Sequence, residues 1–134
     1  MKKMKRLVSA LALLLCACAP QGSVERHTTH AVHQIADANF DPNTRMLLAD
    51  SIRVMRPGFQ AVYQAGVKDR AAGLSKAQME EKAACLLKPE NLPDEAVTHT
   101  FLGQTYLADR PEKERKILAD ALAATYRDGY EGRP

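Results

Sequence analysis

Proline and glycine divide this chain into pieces of helical length, and within most pieces apolar residues recur every three or four positions. Strand-like alternation bounded by turn clusters is nearly absent. The pattern predicts a first short helix over residues 29–38. Asp41-Pro42 reads as the N-cap and first helical position of a second, running through Met55, and Arg56-Pro57-Gly58 breaks or kinks the chain there. Phe59, Val62, Tyr63, Gly66 and Val67 then form the inward stripe of a third helix. A glycine within such a stripe costs about 1 kcal/mol relative to alanine, so Gly66 signals the close approach of another helix. Gly73 closes this helix in a left-handed cap.

The next start carries the clearest local signal. Ser75 caps, Gln78 reaches back in a capping box, and Leu74 staples to Met79. Met79, Ala83, Leu86 and Leu87 face inward before Pro89 ends the helix. Asn91-Leu92-Pro93-Asp94 opens a fifth helix with Val97, Phe101, Thr105 and Ala108 inward. Asp109-Arg110-Pro111-Glu112 opens a sixth, with Ile117, Leu118, Ala121 and Leu122 inward and Gly129 closing it. The expected fold is all-α: a small bundle or orthogonal array of about four to six helices, with short connections favouring antiparallel neighbours.

The first residues follow another logic. Lys2, Lys3, Lys5 and Arg6 precede the apolar run Leu7–Leu15, which suits an export signal and is too short for a bilayer span of roughly 20 residues. The sequence Leu15-Cys16-Ala17-Cys18 that follows resembles the lipobox of bacterial lipoproteins. The resemblance implies cleavage before Cys18, a diacylglyceryl group on its thiol and, usually, acylation of the new amine. Cys16 does not fit the acylated position, because it follows Leu15 where the motif wants a small residue. A competing pattern, Ala17-Cys18-Ala19, suits plain secretion but puts Pro20 just beyond the cut. Each buried methylene adds about 0.8 kcal/mol of membrane affinity, so several acyl chains anchor durably. In a diderm host, Ala19 after the acylated cysteine implies the outer membrane, with the domain in the periplasm. The expected organisation is a signal over residues 1–17, a lipidated cysteine and tether over 18–29, and one helical domain over 30–134.

Charge changes meaning once the signal is set apart. The 134 residues are 46% hydrophobic and 26% charged, with a net charge of +3, ordinary for one small domain. Four of the 19 basic side chains lie in the signal, which leaves 15 against 16 acidic ones, a balance of −1. Nucleic-acid binding therefore lacks the phosphate-facing charge it requires.

Candidate chemistry is sparse. His27, His30 and His33 recur at helical spacing, and with Asp37 one turn further they form a candidate zinc, copper or nickel site. The alternative is a polar tether with incidental histidines. Cys85 becomes the free thiol once Cys16 is removed and Cys18 acylated; it either packs as a small apolar side chain or faces a partner. Lys113-Glu114-Arg115-Lys116 alternates sign and reads as a solvated helix face. His99, Tyr106, Tyr126 and Tyr130 are candidates for a partner-binding surface. No Gly-x-Ser-x-Gly, His-Glu-x-x-His, Cys-x-x-Cys or glycine-rich phosphate loop occurs. The expected function is a non-enzymatic, lipid-anchored module that binds another protein of the cell envelope, without a cofactor beyond the lipid on Cys18. Metal binding through the histidines is the alternative, and an enzyme ranks third. In layout, though not in motif, the chain is similar to secretion-system pilotins and toxin-immunity lipoproteins.

Overall fold

The computed structural model describes residues 22–38, 47–91, 98–101, 104–107 and 111–134. The described elements are α1 (Ser23–Ala38), α2 (Leu48–Ala71), α3 (Lys76–Leu86), one 3-10 turn (Pro89–Asn91), β1 (Thr98–Phe101), β2 (Gln104–Leu107) and α4 (Pro111–Glu131). The fold is a small all-α bundle of four described helices with a short β-hairpin inserted before the last. The proposed N-cap Asp41-Pro42, like the signal and Cys18, lies outside the described residues.

Helix α4 is the hub, packing against α1, α2 and α3. Its inner line is Ala119, Ala123, Tyr126 and Tyr130, each at most 4% exposed and spaced i, i+4, i+7, i+11 as one helical face requires. Ile117, Leu118, Ala121 and Leu122, expected to point inward, are only half-buried. A helix surrounded on three sides needs small side chains along its closest line, so the alanines take it and the larger residues flank it. Tyr126 and Tyr130 join Met79 and Ala83 of α3 in the central cluster, with Val62, Leu74 and Leu86 packed around it.

The close approach expected at Gly66 is present, and its partner surface is the backbone of α4. A β-carbon at Gly66 would stand on the carbonyl oxygen of Tyr126 and 2.7 Å from the amide nitrogen of Tyr130; one at Gly129 would collide with the carbonyl of Tyr63. Gly129 is thus an interior contact and does not close α4. That role falls to Gly132, at φ 69°, where the Arg133 amide donates to the Asp128 carbonyl. Gly73, at φ 80°, ends α2 as expected: its amide donates to the Arg70 carbonyl and that of Leu74 to Asp69, the two bonds of a Schellman motif.

Four other expectations need correction. Helix α1 begins at Ser23, so residues 23–29 belong to the domain and are not tether; Ser23 and Thr28 are buried. Helix α2 continues through Pro57. Proline removes one hydrogen bond to the residue four positions earlier, and here Arg53, Val54, Arg56, Pro57 and Gly58 are all exposed, so the freed carbonyl lies on a side of the helix open to solvent. Within the expected stripes, Phe59 is 1% exposed and Gly66 buried, whereas Val67 and Leu87 are 37% and 39% exposed. Finally, the expected fifth helix is an antiparallel hairpin pairing Thr98 with Leu107, His99 with Tyr106, Thr100 with Thr105 and Phe101 with Gln104. Threonine, phenylalanine and tyrosine favour the pleated backbone. The capping box of α3 forms as expected: the Gln78 amide donates to Ser75 Oγ at 3.3 Å and the Ser75 amide to Gln78 Oε1 at 2.9 Å.

The Gly66 crossing yields a direct test. Gly66→Ala should destabilise the protein by about 2–3 kcal/mol, the range of overpacked cores, because backbone and not a movable side chain stands in the way. Gly58→Ala, where nothing lies within 4 Å of the added carbon, should be neutral or stabilising by up to about 1 kcal/mol. Urea denaturation of the two variants checks the contrast.

Candidate functional site

An acidic residue in the last turn of a helix opposes the negative end of the helix dipole and needs partners. Asp128 occupies such a place in α4 and is 5% exposed. Its Oδ2 accepts from Ser23 Oγ at 2.8 Å, Arg26 Nη2 at 2.9 Å and His27 Nε2 at 2.9 Å, and Arg133 reaches Oδ1 at 3.4 Å. A carboxylate only accepts, so the His27 hydrogen sits on Nε2. Burial alone pushes this carboxyl up; the hydrogen bonds from His27 and Ser23 and the charges of His27 and Arg133 prevail and hold it below the usual carboxylate range. The first turn of α1 is thereby fastened to the last turn of α4.

A cleft of about 280 Å³ opens beside this cluster, lined by Arg26, His27, Arg127, Asp128, Glu131 and Arg133. Its cations are matched: Arg127 pairs with Glu80 at 3.0 Å, Arg26 with Asp128, and Arg133 with Glu131 and Asp128. Serine, histidine and aspartate meet here, but the serine hydroxyl donates to the carboxylate and not to the imidazole. The trio is wired as a lock, without the serine-to-histidine bond that would activate a nucleophile.

A second polar lock lies on the opposite side of α4. Tyr126 Oη donates to Asp69 Oδ2 at 2.5 Å, and Lys82 Nζ donates to the same oxygen at 2.8 Å. The lysine bond, then the tyrosine bond, lower the Asp69 pKa against the opposing effect of burial. Burial first, and then the adjacent Asp69, raise the Tyr126 phenol. Tyr130 Oη donates to the Leu74 carbonyl at 2.6 Å, and the Arg70 guanidinium lies 5.1 Å over its ring. Tyr126 and Tyr130, at 3% and 4% exposure, are therefore core residues and not the exposed partner anchors expected of them. Each hydroxyl has an internal partner, which is what allows so large a polar-tipped ring to be buried.

The remaining candidates are dispersed. His27 is bound to Asp128, while His30 and His33 are exposed further along α1. His27 and His30 line a groove of about 200 Å³ with Gln34, Ile117 and Asp120. Among the described residues, no three His, Cys, Asp or Glu side chains group as a metal site would. Cys85 is exposed, and its carbonyl accepts from Asn91 Nδ2 at 2.7 Å. Of the Lys113-Glu114-Arg115-Lys116 run, Lys113 and Lys116 are exposed, the latter paired with Asp120 at 2.7 Å, while Glu114 and Arg115 are half-buried. His99 and Tyr106 are direct cross-strand partners in the hairpin. No described helix is long and apolar enough to cross a membrane. Comparison with protein-family models, curated proteins and solved structures finds no match for this chain.

The depressed carboxyls give stability a defined pH dependence. Their contribution is full above the unfolded value of about 3.9 and is lost as pH falls through the lower folded values. Thermal midpoints should hold steady from pH 7 to about pH 5 and drop steeply below about pH 4, with a shallower drop in Asp128→Asn. At neutral pH, Asp128→Asn should cost about 2–3 kcal/mol and Arg26→Gln, on a half-exposed partner, less than about 1 kcal/mol. Denaturation monitored by circular dichroism checks both.

Proposed function

We propose that the chain is a lipoprotein of the cell envelope, anchored through acylated Cys18, whose helical bundle serves as a non-enzymatic docking module for another envelope protein. The observation that carries the reading is the adjacency of Leu15-Cys16-Ala17-Cys18 to the bundle: helix α1 starts at Ser23, only five residues beyond the acylated position. Five Cα steps reach at most about 18 Å, so the bundle rides close against the bilayer. Ala19 supports the outer membrane as its address and the periplasm as its compartment.

The partner surface is reduced from the sequence expectation. With Tyr126 and Tyr130 consumed in the core, the hairpin carrying His99 opposite Tyr106 is the leading surface. A two-stranded ribbon leaves outer edges that can receive an extended segment.

Two measurements test this. Palmitate should label the wild-type protein in growing cells and not Cys18→Ser, which should leave the membrane fraction; labelling that survives the substitution removes the anchor. Crosslinking in intact cells followed by capture should retain an envelope protein near stoichiometric yield, reduced severalfold by Tyr106→Ala with His99→Ala. No captured partner, or capture indifferent to the hairpin changes, counts against the docking reading.

A further inference from the structure

Helix α2 turns Phe59, Val62 and Gly66 toward the bundle, and the opposite side of the helix meets solvent. At 3.6 residues per turn, Leu47, Val54, Pro57, Ala61 and Ala65 fall along that outer face, and all five are exposed. Leu47 and Val54, at 57% and 69%, are the most exposed large hydrophobics among the described residues. Asp50 and Lys68, also exposed, stand about five turns apart on the same line, one near each end of the face. The charges beside the face are engaged: Arg53 with Asp50, and Asp69 with Lys82. Both Arg53 bonds fall on Asp50 Oδ1, which leaves Oδ2 for another donor. The Arg53 carbonyl released by Pro57 opens along the edge of this face.

We propose that this face is the interface of a homodimer, with α2 of a second copy lying antiparallel against it. Charge placement selects both the occupant and its direction. A copy running the opposite way brings the partner's Lys68 level with Asp50 at one end and the partner's Asp50 level with Lys68 at the other. A parallel copy would instead stack like charge on like, which costs association energy. The same register sets Val54 between the partner's Ala61 and the partner's Ala65, a branched side chain entering a gap between two small ones. It also brings the partner's Gln64 level with Val54, where its side-chain amide can donate to the freed Arg53 carbonyl. Such a contact uses one patch twice and closes on itself, so assembly ends at two copies. The 24 residues of α2 span roughly 36 Å at 1.5 Å per residue. One helix face of that length is small for a permanent complex, and the dimer is a reversible one in the micromolar range.

The test uses the chain from Cys18 onward with Cys18→Ser, under reducing conditions, so that neither acyl chains nor Cys85 can join copies. Sedimentation velocity should show a monomer at low concentration and a dimer as concentration rises through the micromolar range. Asp50→Lys and Lys68→Asp should each weaken the dimer about tenfold or more, because like charges then meet at both ends. Mixed in equal amounts, the two variants should regain wild-type association, since every pairing between them is opposite in sign. Val54→Glu should abolish the dimer with the helical spectrum unchanged, whereas Ala77→Glu, at an exposed position of α3, should leave it intact. A monomer at every concentration, a dimer indifferent to both charge reversals, or a mixture that associates no better than its components would overturn the proposal. A monomeric chain whose capture of a different protein in cells requires Val54 would also overturn it and give the face to that protein. The assay needs no acyl chain, so failure of the anchor and failure of this interface read out separately.

Discussion

Two absent side chains let α2 and α4 touch backbone to backbone at Gly66 and Gly129, and the bundle is arranged around that contact. Where helices come so close, neighbouring side chains have nowhere to go but sideways. Tyr126 and Tyr130 lean away into the cluster with Met79 and Ala83 of α3, while Asp128, on another side of the same turns, meets α1. A β-carbon at either glycine would separate the helices and pull both locks out of register.

The locks have different physical characters. Asp69 shares one oxygen between a buried phenol and a half-exposed ammonium, so it satisfies a core tyrosine while keeping one foot in water. Asp128 collects a hydroxyl, an imidazole and two guanidiniums, which repays the burial of its charge and ties down the first residues after the proposed anchor.

Much of the helical architecture was legible in the residues. The Ser75-Gln78 box, the Gly73 cap and the unusual glycine at 66 all act through local geometry, which a sequence states directly. Pro57 misled because proline is a breaker only where its freed carbonyl lacks a partner; exposure of that side of α2 supplies water, and exposure is a tertiary fact. The hairpin at residues 98–107 misled in the opposite direction: apolar residues spaced four apart imitated a helix, while threonines and aromatics with Gly103 favoured strands. The start of α1 was placed six residues late, since Ser23, Arg26 and His27 are polar and their shared partner, Asp128, lies some hundred residues away.

For the candidate site the division is sharper. The amino-acid order by itself determined the Ser75–Gln78 box, the Gly73 cap and the helical class, because each depends on residues within a few positions of one another. Only the tertiary structure decided that Tyr126 and Tyr130 are core, and that His27 binds an aspartate while His30 and His33 are exposed. Those outcomes depend on which helix covers which side of α4. Packing sets that choice over the whole domain, and no short window of sequence contains it.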